Sequence, residues 1–274
     1  MKFGLFKSPI DPKDFLMESF LDPVIALPES YDIFDKMPPI KSQGQEGACA
    51  GFAGTCVKEY QEMINHGKYI ELSPRFIYDL AKEKSGHKEG TTLKAIVEVL
   101  KEHGICTEKL CPYIPNDPPE ITPKMYDGAE KYQIKHYARI KNLKELKQSI
   151  FQKYPEGGAI LTGVSVYKGF ISDESKETGA VPNPSCWDAL RPLGGHAVTS
   201  YGWNDNSPYF KNDGHIVCQG SYGESFGDKG SHYFSYAYIK NHMLDCMCMI
   251  DVKNATHAKR VVDMSPIERN TAWV

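Results

Sequence analysis

The sequence predicts an α+β protein in which a helical half precedes a β-rich half. Apolar residues recur at helical spacing up to Gly104, and short strand-like runs bounded by Gly, Asn, Asp or Pro dominate after Pro123. A proline-rich connector lies between the two halves. The 274 residues, 41% of them hydrophobic, are enough for one large domain or for two lobes that share a cleft.

The first predicted helix begins at Cys49 and ends near Gly67. It follows a glycine-punctuated loop that starts at Ser42. Its apolar residues recur at helical spacing, at Phe52, Cys56, Tyr60, Met63 and Ile64.

Two more helices are predicted before the connector. The second has Ser73 as its N-cap and Pro74 at its first helical position, which suits the fixed backbone angle of proline. The third runs from Thr91 or Thr92 to His103. Their buried faces are Phe76, Ile77, Leu80 and Ala81 in the second helix, and Leu93, Ile96, Val97 and Leu100 in the third.

The connector is the predicted boundary between the lobes and carries Pro115, Pro118, Pro119 and Pro123. One helix, Leu143–Phe151, interrupts the β-rich half that follows. Strands are predicted at Tyr132–Ile140, Ala159–Val166, His196–Tyr201, His215–Gln219 and His232–Tyr236.

Composition excludes several classes of function. The net charge of -3 without a Lys/Arg block gives no reason to expect nucleic acid or an anionic membrane as partner, and no apolar run is long enough to span a bilayer. No secretory signal is recognised at the start of the chain. Eight cysteines are too sparse for a disulfide scaffold, so the cytoplasm or another reducing compartment is the simpler expectation.

No metal or other cofactor is expected. The stretch His242–Cys248 contains a Cys-x-Cys pair, but the usual two-residue gap and a second ligand pair are both missing. An apolar, sulfur-rich stretch that closes the β-rich half is the simpler interpretation.

Cys49 is the first candidate for chemistry. A cysteine in the first turn of a helix faces unpaired backbone N–H groups and the positive end of the helix dipole, both of which favour the thiolate. Gln43 lies six residues upstream, so its amide can fold back to stabilise a carbonyl oxygen that becomes negative. A merely buried helix cysteine remains an equal alternative until a base is found.

His196 is the candidate base. It begins a predicted strand after two glycines, Gly194 and Gly195, which let a substrate or another backbone come close. The other histidines lie in ordinary helix, loop or strand contexts, where surface or core roles are expected.

Together these segments resemble the papain-like cysteine peptidases. The likeness covers roughly residues 27–240 in the expected order. The matching segments are Gln43-Gly44, Gly47-Ala48-Cys49, Phe52-Ala53, Leu72-Ser73-Pro74-Arg75-Phe76, Glu89-Gly90, Gly195-His196-Ala197-Val198 and Ser221 to Gly230.

The resemblance implies a helical left lobe of about residues 40–122 and an antiparallel β-rich right lobe of about 123–252, with a groove between them. The peptidase domain would be 27–252, preceded by an extension, 1–26, and followed by a tail, 253–274. Cys49 would be the nucleophile and His196 the base and acid, with Gln43 and the Cys49 backbone N–H as oxyanion hole. Glu89, Gly90, Gly195 and Tyr222 would line the substrate.

The sequence departs from the family pattern beside the histidine. The family's orienting asparagine falls on Gly220, and Tyr222 and Phe226 replace two tryptophans. A one-residue bulge that brings in Gln219, or a bound water, would fill the vacancy. Alternatively, the protein is a weakened relative that still binds peptides.

Other departures concern cross-links. Many relatives carry a disulfide-bonded cysteine at the position of Glu46, and here no partner cysteine is found between Asp79 and Gly90. Cys106 and Cys111 are close enough in sequence for a bridge, although two buried thiols are expected at least as strongly.

The extension, residues 1–26, is predicted to follow the surface or to cover a cleft. It is far shorter than the family's inhibitory pro-segments, and a specific hypothesis places Phe15–Phe20 in or near the groove.

The sequence therefore predicts a cysteine endopeptidase that acts on extended peptides or proteins through an acyl-enzyme. A peptide-binding pseudo-peptidase and a thioester-forming transpeptidase on the same fold are the alternatives.

Overall fold

The computed structural model describes residues 1–22, 24–152 and 158–251. Within them the helices predicted from Cys49, Pro74 and Leu143 are confirmed, and Thr92 rather than Thr91 caps the third. The α-helices are α1 (Cys49–His66), α2 (Pro74–Ser85), α3 (Leu93–Glu102), α4 (Pro123–Ala129), α5 (Leu143–Phe151), α6 (Asp173–Thr178), α7 (Cys186–Ala189) and α8 (Tyr236–His242).

One mixed sheet holds the strands. They are β1 (Leu5–Phe6), β2 (Phe15–Leu16), β3 (Ser30–Asp32), β4 (Thr91–Thr92), β5 (His136–Arg139), β6 (Ile160–Val166), β7 (Ala180–Val181), β8 (Gly194–Asn204), β9 (His215–Gln219), β10 (Ser231–Ser235) and β11 (Met243–Ile250). The order is β2-β5-β11-β6-β8-β9-β10-β7. The strands from β5 to β10 pair antiparallel, and β2 and β7 join the two edges in parallel. The predicted α+β class is confirmed.

Two predicted strands have different bounds for local reasons. The strand expected at Tyr132–Ile140 is shorter, because the Ile134 N–H donates to the Leu100 carbonyl before the chain joins the sheet as β5. The last predicted strand ends at Ser235, which caps α8 by accepting from the Tyr238 N–H. The apolar stretch after His242 forms β11.

The helical and β-rich parts meet where α1 packs across β8. The hydroxyl of Thr199 on β8 donates to the Ala53 carbonyl of α1 at 3.3 Å, and Val57 and Ala197 share one buried core. A second core lies within the β-rich part and includes Val164, Val198, Ile216 and Phe234. Because Cys49 begins α1 and His196 lies near the start of β8, this packing places the start of the helix beside the start of the strand.

The hypothesis that Phe15–Phe20 lies in the groove is wrong. β2 pairs in parallel with β5 through Phe15 and Leu16, and Met17 is fully buried in the core of the β-rich part. The backbone groups of Phe15 and Leu16 are hydrogen-bonded to β5 at the edge of the sheet. The preceding residues, around β1, are the ones that reach the groove.

Cys106 and Cys111 are buried free thiols that share a hydrogen bond, so the unbridged alternative applies in this structure. In the part of the chain that the structure describes, no helix is both long and apolar enough to cross a membrane. The predicted tail, 253–274, lies outside the described residues.

Candidate active site

Cys49 lies at the first position of α1, as expected. Ala48, the N-cap, makes no side-chain hydrogen bond, so no side chain competes there for the first backbone N–H groups of the helix. The Cys49 sulfur instead accepts hydrogen bonds from backbone N–H groups that include Ala197, the neighbour of His196 on β8, and Gly4. The thiol is therefore held between the helix start, the histidine strand and the N-terminal segment.

Gln43 is fully buried and its amide is fixed at both ends. Its Oε1 accepts from the Ser221 hydroxyl at 2.6 Å, which leaves the Nε2 group as the donor that points into the site. Nε2 donates to the Glu46 carbonyl at 2.6 Å and makes a longer contact, 3.4 Å, with the carbonyl oxygen of Lys2. An amide in this position can donate to a carbonyl oxygen of a bound peptide.

His196 is fully buried on β8 and is covered by aromatic rings. The ring of Tyr222 stacks on it at 5.1 Å between centroids, and Phe3 and Phe170 approach at 6.0 and 5.2 Å. Neither ring nitrogen of His196 has a hydrogen-bond partner in residues 1–22, 24–152 and 158–251. Tyr222 thus keeps a ring over the histidine where the resemblance placed a tryptophan.

The N-terminal segment, residues 2–6, runs through the groove as an extended strand. β1 pairs in parallel with β4, and Leu5 pairs antiparallel with Gly195. The Thr91 N–H donates to the Gly4 carbonyl at 2.8 Å, and the Tyr222 hydroxyl donates to the Lys2 carbonyl at 2.8 Å. The groove therefore holds an extended peptide, and this one belongs to the chain itself.

The segment passes close enough to the site to require glycine. A Cβ on Gly4 would lie far inside van der Waals contact with the Gly47 carbonyl, and a Cβ on Gly195 would do the same with the Leu5 carbonyl. The Gly4 N–H lies beside the Cys49 sulfur. The segment therefore covers the thiol.

The covered site contains two neutral groups. Burial raises the pKa of the Cys49 thiol above its ordinary 9.0, against which the backbone hydrogen bonds act only in part. Burial, together with repulsion from His232, lowers the pKa of His196 to about 3. At neutral pH this state therefore holds a thiol and a neutral imidazole, not an ion pair.

The predicted substrate-lining residues all surround the N-terminal segment. Glu89 forms an ion pair with Lys2 at 2.8 Å, and Gly90 lies against the Gly4 carbonyl. The backbone donor to the segment is nevertheless Thr91, because the Gly90 N–H donates to the Tyr78 hydroxyl at 3.0 Å.

Gln219 is not brought to His196. Its Nε2 donates to the Pro38 carbonyl at 3.2 Å, and the residue ends β9 in regular register opposite Ser231. The irregularity between β8 and β9 lies on β8, between Ser200 and Gly202, and adds no residue to β9. The bulge that would have redirected Gln219 is therefore absent from this part of the described chain.

Glu46 forms an ion pair where the resemblance implied a disulfide. Its carboxylate accepts hydrogen bonds from both terminal nitrogens of Arg75, at 2.8 and 2.5 Å. The Tyr113 hydroxyl lies within hydrogen-bond distance of the Glu46 carboxylate and of the Gln43 carbonyl, and donates to them. The Arg75 side chain is fully buried and also contacts Asp79 at 3.2 Å. This network fixes the loop that carries Gln43 by charge-assisted hydrogen bonds in place of a covalent bridge.

We expect Glu46→Gln to lower the free energy of unfolding by about 3 kcal/mol, the low end for breaking a buried pair, because Asp79 still faces Arg75. Burial would raise the pKa of Glu46, but Arg75 outweighs it and holds that pKa below 4.5. The stabilisation is therefore present above about pH 4.5 and is lost as the pH falls through the lowered value. Urea unfolding at several pH values measures this. Glu102→Gln, which breaks an exposed pair with Lys84, is the control and should cost less than about 1 kcal/mol; equal losses from both variants would contradict the assignment.

Sequence reasoning missed the residues of the N-terminal segment and the partners of Glu46. The only local signal was Phe3-Gly4-Leu5, a glycine between two apolar residues. An arginine at the start of a helix with an apolar stripe, Arg75, was the hint that an acidic residue would meet it.

The chain is similar to known proteins in sequence and in structure. A sequence profile described as the papain family of cysteine proteases matches residues 27–257. An uncharacterized peptidase C1-like protein of Acanthamoeba polyphaga mimivirus is 23% identical over 258 residues, 87% of this chain and 76% of that protein. Cathepsin K of Mus musculus is 29% identical over 221 residues, which are 79% of this chain but 61% of that protein. The crystal structure of xylellain, a cysteine protease from Xylella fastidiosa, has a TM-score of 0.79 and 25% identity, covering 92% of this chain and 96% of that one.

Proposed function

Because the chain belongs to the papain family of cysteine proteases, we propose that it cleaves extended peptides through a Cys49 acyl-enzyme, with His196 as base and acid. The observation that carries this proposal is the convergence of three groups at one end of the groove. They are the Cys49 thiol at the start of α1, the His196–Ala197 strand beside its sulfur, and the buried Nε2 donor of Gln43.

The chemistry follows from these groups. His196 takes the thiol proton, and the Cys49 sulfur attacks the carbonyl carbon of the substrate. The carbonyl oxygen becomes negative beside Gln43 Nε2 and the Cys49 backbone N–H. When the C–N bond breaks, His196 protonates the leaving amine. Water then adds to the thioester with His196 as base, and the thiolate leaves.

A peptidyl vinyl sulfone tests the proposal, since it reacts with an activated thiol in a peptide groove. We expect one adduct, at Cys49, although the structure also holds seven other free thiols. Cys186, which is exposed, is the internal comparison. A protein that binds the peptide but is not labelled at Cys49 would be the pseudo-peptidase. Labelling together with transfer of the acyl group to an added amine, without hydrolysis, would identify the transpeptidase.

We further propose that the N-terminal segment keeps the enzyme latent. It buries Cys49 and His196, and it presents an N–H to the sulfur. Its departure would admit water, relieve the burial that shifts both pKa values, and favour the thiolate–imidazolium pair. The segment is tethered just beyond β1, where Lys94 holds Asp11 at 2.8 Å and Asp14 at 2.9 Å.

The segment also indicates the side chain that the groove accepts. Leu5 is 4% exposed and packs in a pocket formed by Leu93, Gly163 and Leu244. Leu244 belongs to the sulfur-rich stretch, which by resemblance lines the pocket for the second residue before the scissile bond. We propose that this pocket prefers a branched aliphatic side chain there.

Peptides with Leu at that position should have a kcat/KM about 30-fold higher than those with Ala, since burying the extra carbons stabilises binding by about 2 kcal/mol. Gly163→Ala should reduce this ratio, because the added Cβ would lie 2.5 Å from the position of a Leu5 methyl carbon. The Ala peptide is the control within each protein. Equal kcat/KM values for the two peptides in the parent protein would show that this is not the specificity pocket.

A further inference from the structure

The position of the missing asparagine is filled from another strand. Gly220 follows β9, and a Cβ built on it would lie 2.5 Å from Nε2 of His232 and 2.8 Å from its Cδ2. His232 lies on the neighbouring strand β10, opposite Cys218. The imidazole of His232 therefore lies where a side chain at residue 220 would begin, and glycine is the residue that leaves room for it.

His232 is enclosed but has no hydrogen-bond partner. It is fully buried between the rings of Phe170 and Phe226, at 5.3 and 5.2 Å between centroids. Neither ring nitrogen is hydrogen-bonded to any of the residues that the structure describes. A buried imidazole whose two nitrogens form no hydrogen bond destabilises the folded protein. This indicates that His232 forms a hydrogen bond in another state of the protein.

His196 is a neighbouring group that also lacks a hydrogen-bond partner among the described residues. The rings of both histidines contact the ring of Phe170. A positive charge on His232 lowers the pKa of His196. The other titratable side chains around the pair are Cys49 and Tyr222 beside His196, and Cys218 opposite His232. None of these three side chains is a carboxylate.

A neutral imidazole can do what an amide oxygen does for a catalytic histidine. When His196 becomes an imidazolium, the ring nitrogen that does not serve Cys49 carries an N–H and needs an acceptor. Burial lowers the pKa of His232 to about 4, so at neutral pH it is uncharged and has one nitrogen free to accept. In the covered state both histidines are neutral. In the active state the His196 imidazolium would donate a hydrogen bond to His232.

We propose that His232 is the positioning residue for His196, accepting a hydrogen bond from the imidazolium in place of the family's asparagine. The inference rests on the proposed function of Cys49 and His196. Gly220 then has a defined part, since any larger residue there would displace the ring of His232.

The test compares two replacements of His232. His232→Phe keeps the volume of a ring and removes the acceptor, whereas His232→Gln keeps an acceptor near the position of Nε2. We expect His232→Phe to lower kcat for a fluorogenic peptide by about 10–100-fold with little change in KM, as for other residues that orient a reacting side chain. His232→Gln should retain most of kcat. Equal kcat values for the two variants would overturn the proposal.

The pH dependence of Cys49 alkylation by iodoacetamide provides a readout that does not need peptide turnover. Loss of the acceptor destabilises the imidazolium, so thiolate formation should move to higher pH by about one unit in His232→Phe. His215→Phe is the matched control, since His215 is also buried on the sheet, with Ser207 as its partner at 2.7 Å. An unchanged midpoint in His232→Phe, or the same shift in His215→Phe, would count against the role.

A double replacement covers the case in which His232→Phe does not fold. Gly220→Asn alone should lose activity, because its Cβ meets the His232 ring, and Gly220→Asn combined with His232→Ala should recover kcat above that of His232→Ala. No recovery overturns the inference. Hydrolysis that survives all His232 changes refutes this inference alone, whereas a parent protein with neither labelling at Cys49 nor hydrolysis refutes the proposed function.

Discussion

Replacing Cys49 by alanine is expected to reduce hydrolysis of an extended peptide on the order of 10⁶-fold, the cost typical of removing a nucleophile from a catalytic unit. The residual rate would come from substrate binding and from the Gln43 donor, which remain in place. Initial rates with a fluorogenic peptide measure the loss. Binding of the same peptide should survive, since Thr91 and Gly195 still offer their backbone groups.

Cys56→Ala is the matched control. Cys56 lies on the same helix two turns further on, is buried, and faces Thr199 in the core. Its loss should reduce stability modestly and leave kcat within about threefold, as expected for a thiol that packs and does not react. Comparable losses in the two variants would mean that hydrolysis depends on the integrity of α1 and not on the Cys49 thiol.

Gly4→Ala is expected to activate the protein. The added Cβ would meet the Gly47 carbonyl, and crowding of this kind costs about 1–3 kcal/mol. The cost falls only on the covered state, so the open population should rise about 5- to 150-fold. The second-order rate constant for labelling Cys49 by a peptidyl vinyl sulfone measures this population.

Ile10→Ala is the control for Gly4→Ala, because Ile10 lies in the same N-terminal extension, residues 1–26, but is 82% exposed. It should leave the labelling rate unchanged. An unaltered rate in Gly4→Ala would argue against latency. Deleting residues 1–24 is a poorer test, because the deletion would also remove Met17 from the core of the β-rich part.

Local signals predicted much of the fold. Ser73 and Pro74 marked the start of α2, Asn142 caps the helix predicted from Leu143, and the strand His215–Gln219 has the predicted bounds. The short helices α6, α7 and α8 were missed, although each follows a serine that caps it, namely Ser172, Ser185 and Ser235. Such caps are weak signals when no apolar period follows them.

Local signals also predicted part of the candidate site and missed the rest. The ordered set of segments from Gln43 to Gly230 indicated the family, and the profile match confirms it. The extension was expected to cover a cleft or follow the surface, and it enters the groove through Gly4 rather than through Phe15–Phe20. Nothing local marks Gly4 for this, because its role depends on the distance to Gly47.

The sequence by itself therefore determined the family and predicted which residues carry the chemistry, since a thiol at a helix start, an amide in a glycine loop and a histidine at a strand start are local patterns. Only the tertiary structure decided what surrounds them: a peptide of the chain itself over Cys49, an ion pair at Glu46, and His232 beside Gly220. The physical reason is that these contacts join residues distant in sequence. The sequence shows only that residue 220 is a glycine. The structure shows that the ring of His232, on the neighbouring strand β10, fills the space beside it.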